Sequence, residues 1–560
     1  MQKLARQASF CTIALHPALL TKASPTNSMT TKQPDGWSSK LGVIMAVAGS
    51  AVGLGNFLRF PGLVADKETG GGAFLIAYFI SLLIVGLPIC WVEWTLGRFG
   101  GTQGYNSSPG IFHAIIRKPW GKYVGLLGFI IPVGVYFYYV VIESWCLGYA
   151  WNSFSGGLDL GKDPKTYAAA FASFTGLNAD GAVLGLGKPF LFFIGVFVLN
   201  FVIIYRGLSK GIEFICNWGM PLLIAIALIL LARVLTLGTP DPSKPELSVW
   251  NGLGYMWNPH DISKGLSNPA VWLKAASQIF FTLSVGFGVI ITYASYLKKN
   301  DDVVLSGLTA TAANEFCEVG LGGLITVPAA FAFLGASAVA GGTFALGFNV
   351  LPQVFAGMPY GHLFGGLFFT LLFIAAITSS LSMLQPGIAF LEEGLGLDRR
   401  GSVTLLGLIT AVGCTLVVYF SQGLKALSTV DFWIGDIGIF LQGTLLIYIF
   451  NLSFGTERGW TEAHHGADIR IPRIFKFVIR WLSPAFLTAI FVMFVLKNVA
   501  GWNLSLRSPV FTPTDPILDL IGGPGHPASG VARLTAFFLL LFAGFSALMI
   551  HRAGKRWDGR

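Results

Sequence analysis

Long apolar runs alternate with short polar breaks along nearly the whole 560-residue chain. "AFLIAYFISLLIVGLPICWVEW", "PFLFFIGVFVLNFVIIY" and "PLLIAIALILLARVLTL" each come near the ~20 residues that cross a ~30 Å hydrocarbon core. Hydropathy places about twelve such helices, near 41–64, 73–97, 122–152, 189–206, 212–237, 271–297, 303–334, 360–391, 402–421, 430–453, 483–501 and 532–551. The pattern predicts an all-α polytopic membrane protein. Its single transmembrane domain covers 37–560, behind an N-terminal tail over 1–36.

Two of these runs are interrupted in the same way. "AVAGSAVGLGNFLRFP" (46–61) carries Gly49, Gly53, Gly55, a polar Asn56 and a charged Arg59 at mid-span. "IFFTLSVGFG" (279–288) repeats the motif five spans later, with "SVGFGV" aligned on "AVGLGN". An odd number of intervening spans inverts a unit, which predicts two halves of five spans with broken helices 1 and 6. Repeat one covers about 37–237 and repeat two about 268–453, with helices 11 and 12 following at about 483–551. Gly-interrupted segments at matching places in two halves point to a transporter's binding site. A broken helix in lipid exposes N–H and C=O groups that cost several kcal/mol each unless something meets them. Half-helix N-termini suit an anion, and freed carbonyls suit a cation. Close helix packing accounts for one glycine at an interface, but two matching VGxG breaks flanked by Asn, Thr and Ser ask for more.

Composition adds exclusions. Only 11% of residues are charged, against ~25% in soluble domains, and mean hydropathy is +0.67. No soluble catalytic domain and no His/Ser/Asp or metal cluster stands in the spans, so an enzyme is disfavoured. The net charge of +10 sits in alternate loops, such as Arg117, Lys118, Arg399, Arg400, Arg552 and Arg556. By the positive-inside rule both termini are cytoplasmic, which reads the charge as topology and excludes nucleic acid as a partner. The expected location is the inner (plasma) membrane. The six cysteines are scattered and read as packing residues. Residues 1–36 lack a proper signal sequence, leaving an over-long start, a disordered tail or a targeting peptide as alternatives.

A dehydrated hard cation such as Na⁺ needs about five or six oxygens, by analogy with other hard ions. Asn56, Thr282, Ser284, Asn314, Thr378 and Ser379 are the span residues that supply them. Ionisable groups inside the membrane are functional candidates, here Arg59, Glu93, Glu143, Glu315, Glu318, Asp431 and Asp436. Glu93 and Glu143 are expected as internal hydrogen-bonded staples. The stripe "VGVYFYYVVIESW" packs a helix face and offers hydroxyls to a cavity.

From Trp37 onward these residues resemble the neurotransmitter:sodium symporter family, in its bacterial amino-acid branch typified by the leucine transporter. The likeness is densest in "GSAVGLGNFLRFP", "QIFFTLSVGFGVIITYASY", "DDVVLSGLTATAANE", "AITSSLSMLQPGIAFLEE" and "STVDFWIGDIG". It implies the leucine-transporter-like fold, whose inverted repeat is the pattern noted above, and two co-transported Na⁺ ions. The first would be held by the Ala51 carbonyl, Asn56, Thr282, Asn314 and the substrate's own carboxylate. The second would use the carbonyls of Gly49, Val52 and Ala375 with Thr378 and Ser379. The substrate carboxylate would meet amides near Ala51, Gly53 and Gly55 and the Tyr139 hydroxyl. Its ammonium would meet carbonyls of Ala51, Phe281 and Thr282 and the Ser284 hydroxyl. The side-chain pocket would be Val135, Tyr139, Phe281, Phe287, Ser379 and Met383. Arg59 and Asp431, with Gln278 alongside, would form the outer gate, and Trp37, Tyr296 and Glu393 belong to the inner one.

Two positions refine the resemblance. Gly53 stands where amine-carrying relatives place an Asp, so the substrate should bring its own carboxylate. Glu318 stands where chloride-dependent relatives carry a small hydroxyl residue, so its fixed charge should make chloride unnecessary. The inner-gate Arg position falls at Pro34, which leaves Lys32 as the candidate replacement, and Asp436 has no assigned role. The expected function is sodium-coupled import of a neutral, aliphatic or hydrophobic L-amino acid by alternating access, without chloride. A transport-inactive amino-acid sensor and a proton-coupled carrier using Glu318 or Asp436 remain the alternatives, and a homodimer stays open.

Overall fold

A computed structural model describes residues 36–66, 70–184, 187–258, 262–339, 342–504, 508 and 510–558. The predicted spans form helices, and among the described residues no β-strand forms beyond two isolated bridges.

The first apolar run is a bent pair, α1 (Lys40–Ala51) and α2 (Gly55–Val64), which turn by 44° across the break. Ser39 caps α1, its hydroxyl accepting from the Gly42 amide. Continuous spans follow as α3 (Gly71–Thr102), α4 (Gly121–Phe154), α5 (Lys188–Tyr205) and α6 (Leu208–Leu235). The sixth run is again two pieces, α7 (Pro269–Thr282) and α8 (Val289–Ala294). Then come α9 (Val303–Leu334), α10 (Gly361–Leu395), α11 (Arg399–Tyr419), α12 (Gln422–Ala463), α13 (Ile474–Val499) and α14 (Gly530–Trp557).

The tenth and eleventh spans differ most from the sequence expectation, α13 opening at Ile474 rather than near 483. The tenth span was placed at 430–453, but α12 runs on to Ala463. Gly455, at φ 92°, adopts a backbone open to glycine and separates the apolar part from the polar segment Thr456–Ala463. Hydropathy sees only the apolar part.

Burial sorts the helices into a centre and a shell. α4 and α10 are mostly buried and pack on one another, while α5, α6 and α14 expose most of their apolar surface. Leu540, Leu541 and Leu548 on α14 are among these outward residues, as a lipid-facing helix requires. The broken pairs lie in the centre, with α1 against α6, α9 and α10. α9 reaches the first break because Gly322 has no side chain: a Cβ there would stand 2.0 Å from the Asn56 carbonyl oxygen.

A charged clamp holds the segment before α14 to the start of α12. Lys425 Nζ donates to both oxygens of Asp519, at 2.9 and 2.8 Å, and His526 Nε2 lies 3.0 Å from Asp519 Oδ1. Burial raises the Asp519 carboxyl pKa, but hydrogen bonds from Lys425 and His526 outweigh it and hold the group below the ordinary carboxylate range. A carboxyl held low stabilises the fold above its unfolded pKa, and that contribution fades as pH falls through the folded value. Asp519→Asn is therefore expected to lower the thermal unfolding midpoint at neutral pH, by an amount equivalent to roughly 1–3 kcal/mol. The gap from the parent protein should narrow as pH drops below about 4; a scan of midpoint against pH checks it.

Candidate functional site

The two breaks face each other. At the first, Val52 leaves the helix at φ −76°, ψ 94°. The freed amides find side chains: the Gly53 N–H donates to Asn56 Oδ1 at 2.8 Å and the Leu54 N–H to the Tyr139 hydroxyl at 3.3 Å. At the second, Ser284 takes φ 53°, and its hydroxyl donates to the Ser50 carbonyl at 2.9 Å. The Gly286 N–H donates to Glu93 at 3.2 Å. Glu93 is thus a cap for the second break, and Glu143 accepts from Asn200 at 3.1 and 3.2 Å. Both act as buried staples.

Oxygens converge beside the first break. The Asn314 side-chain amide lies 3.2 Å from both the Ala51 and Thr282 carbonyl oxygens. With its oxygen inward it accepts from Asn56 Nδ2 at 2.8 Å. With its NH₂ inward it donates to both carbonyls and accepts from Thr282 Oγ1 at 3.0 Å. Three acceptor oxygens turned toward one another need a donor or a cation among them. The four protein residues expected at the first ion are therefore together; the oxygens of Ala51, Thr282 and Asn314 suit a hard cation, while Asn56 presents its Nδ2 to Asn314 and Thr282 and its oxygen holds the Gly53 amide. Against this cluster sits Glu318, fully buried. Its carboxylate accepts from Gln278 Nε2 at 2.8 Å, from Asn56 Nδ2 at 3.2 Å and from the Thr282 hydroxyl.

A second convergence lies where α1 meets α10. Ser379 Oγ is 3.3 Å from the Gly49 carbonyl oxygen, 3.2 Å from that of Ser50 and 3.1 Å from that of Ala375. The Thr378 hydroxyl is 3.1 Å from the Ala375 carbonyl oxygen. Gly49, Ala375, Thr378 and Ser379 are brought together, and Val52 lies in the break itself.

The expected pocket residues Val135, Tyr139, Phe287, Ser379 and Met383 are all buried, with Phe281 partly so. Phe281 and Phe287 meet edge to face at 5.9 Å. Gly53 faces two of these pocket residues, and a Cβ there would lie 2.9 Å from both Ser379 Oγ and Tyr139 Oη. Gly55 has more room, its nearest neighbour being Phe281 at 3.6 Å. Above Phe281 a cavity of about 130 Å³ is lined by Leu54, Gly55, Arg59, Tyr138, Tyr139 and Asp431, among others.

The outer gate departs from expectation. The Arg59 guanidinium stacks on Phe281, 4.6 Å from the ring centroid, and its carboxylate neighbour is Asp436 at 4.0 Å. The expected partner, Asp431, instead accepts from the Tyr138 hydroxyl at 2.6 Å. Gln278 lies alongside as expected, accepting from Arg59 at 3.4 Å. On the cytoplasmic side Glu393 is engaged by the backbone amides of Asn106 and Ser107, at 2.5 and 2.7 Å. Lys32, the candidate partner for Glu393, lies outside the described residues. Trp37 donates to the Tyr293 carbonyl at 3.1 Å, and Tyr296 accepts from Gln385 at 3.3 Å. What holds the entry to α1 is Glu213, which sequence reasoning missed. Its carboxylate accepts from the Ser38 amide and hydroxyl at 2.9 and 2.5 Å and from Ser39 at 3.2 Å. The one signal for it was a lone acid opening an apolar span.

The chain is similar to known proteins along most of its length. The profile of the Sodium:neurotransmitter symporter family matches residues 34–170 and 175–506. An uncharacterized sodium-dependent transporter of Haemophilus influenzae is 34% identical over 384 residues, 67% of this chain and 78% of its own. One from Methanocaldococcus jannaschii is 30% identical over 475 residues, covering 82% of this chain and 90% of its own. Among solved structures, the crystal structure of MhsT in complex with L-phenylalanine superposes with a TM-score of 0.70 at 28% identity. It matches 82% of this chain and 99% of MhsT.

Proposed function

The chain belongs to the Sodium:neurotransmitter symporter family, a family of transporters, and on that premise we propose that it imports a neutral, hydrophobic L-amino acid with two Na⁺ ions by alternating access. The observation that carries this is the pair of carbonyls of Ala51 and Thr282, both 3.2 Å from the Asn314 side-chain amide, beside the amides of the first break. A cation among those oxygens and an anion at those amides would lie next to each other. A substrate carboxylate then completes the ion's shell while the ion fixes the carboxylate. That is a coupling free energy between two ligands, and it acts equally in both directions.

The substrate class follows from the walls. Gly53 leaves no side-chain acid to pair with a free amine, so the negative charge comes with the substrate. Phe281, Phe287, Val135 and Met383 suit an apolar side chain, and Met383 adapts to different shapes. L-phenylalanine, the ligand in the MhsT structure, is the first candidate. The expected setting is the plasma membrane, with both termini cytoplasmic.

Glu318 supports chloride independence. Its carboxylate touches Asn56, Thr282 and Asn314 and supplies one fixed negative charge beside the proposed ion, the charge that chloride would otherwise bring. Glu318→Ser is expected to make uptake depend on external chloride, whereas the parent protein should transport equally in gluconate. Uptake of labelled L-phenylalanine and L-leucine into proteoliposomes under a Na⁺ gradient tests the whole reading. Transport in Na⁺ but not K⁺ supports it; binding without uptake would favour a sensor, and uptake driven by a pH gradient alone a proton-coupled carrier.

A further inference from the structure

The outer gate holds one guanidinium and two carboxylates. Asp431 and Asp436 both lie on the stretch Asp431–Gly438 of α12, whose turns are widened to i→i+5 hydrogen bonding. In an ordinary α-helix residues five apart point about 140° from each other. The widened turn brings them back toward one side, and that side meets Arg59.

We infer that Asp436 is a second acidic member of the gate and that Arg59 passes between it and Asp431 as the gate opens and closes. The inference rests on the transport reading above, since it concerns access to that site. In the arrangement seen, Arg59 Nη2 stands 4.0 Å from Asp436 Oδ1. Ser277 steadies the guanidinium, its hydroxyl accepting at 2.9 Å and its carbonyl at 3.4 Å, above the Phe281 ring. Asp431 is turned away by the Tyr138 hydroxyl and folds back over Gly435, where a Cβ would come within 2.6 Å of its Oδ1. Arg59 and Asp431 nevertheless line one cavity of about 130 Å³. Transfer of the guanidinium to Asp431 crosses that space and shuts it. Return to Asp436 clears it. Asp436 is therefore a positioning residue, acting on the passage through Arg59.

Accessibility of the cavity reads this directly. Thr343 lines it, and the described native cysteines are buried. Thr343→Cys is placed in a Cys11→Ser background and reconstituted in proteoliposomes. A membrane-impermeant thiol reagent is then applied in Na⁺ without amino acid. Asp436→Asn leaves Arg59 only Asp431, so labelling should slow about two- to five-fold, the scale of a partly exposed ion pair. Asp431→Asn should speed it, and Asp436→Glu should restore the parent rate. Asp436→Ser repeats the test if the Asn variant fails to fold. An unchanged or faster rate in Asp436→Asn, or no restoration by Glu, overturns the inference. The assay needs no substrate, so a parent protein that binds no amino acid would overturn the transport reading and leave this result standing.

Discussion

Asn56→Ala is expected to raise the Na⁺ concentration for half-maximal amino-acid binding by about 10- to 100-fold. The side chain works at both ends: its oxygen holds the Gly53 amide, and its nitrogen reaches Asn314, Thr282 and Glu318. Truncation removes a proposed ion ligand and also loosens the amides meant for the carboxylate. Losing hydrogen bonds to charged partners costs about 1.5–3 kcal/mol, which is one to two factors of ten. Thr378→Val keeps the shape, removes one hydroxyl from the second convergence and should give a smaller shift in the same direction. Sodium titrations of labelled amino-acid binding check both. An unchanged sodium requirement in both variants would contradict the assigned ion sites.

Gly53 should be the least tolerant position of the pocket. A methyl group there meets Ser379 Oγ and Tyr139 Oη at 2.9 Å, closer than packed atoms sit. The serine is short and already engaged with the Gly49, Ser50 and Ala375 carbonyls, so it cannot retreat without disturbing the proposed second ion site. Gly53→Ala is expected to weaken amino-acid binding about tenfold, in keeping with overpacking costs of about 1–3 kcal/mol. Gly53→Asp should abolish it, because the carboxylate adds both bulk and like charge beside the substrate's own. Competition binding of L-phenylalanine measures both. Near-parental affinity in Gly53→Asp would refute the view that this glycine sets the substrate class.

The breaks were legible because glycines and an Asn in an apolar run violate a strong rule, and few structures satisfy the exposed backbone. Asn56 and Ser284 followed from that violation, and both now stand at the breaks with the partners such backbone requires. The gates were less legible, for two physical reasons. Helix periodicity read at 3.6 residues per turn places Asp436 away from Asp431, and only the widened turn reunites them. An acid also reveals nothing of its partner: Glu213 and Glu393 look alike in sequence, yet one binds the Ser38 and Ser39 hydroxyls and the other backbone amides. Resemblance supplied the Arg59–Asp431 pairing, and here the side chains take other partners.

The central claim is that the substrate's carboxylate and the first sodium ion complete each other at the first break. Equilibrium binding to the purified protein, titrated with Na⁺, tests it most directly when L-phenylalanine is compared with phenethylamine, which differs only by that carboxylate. The account predicts L-phenylalanine binding that tightens steeply with Na⁺ and little or no phenethylamine binding at any Na⁺ concentration. Equal affinity for the two, or phenylalanine binding indifferent to Na⁺, would contradict it.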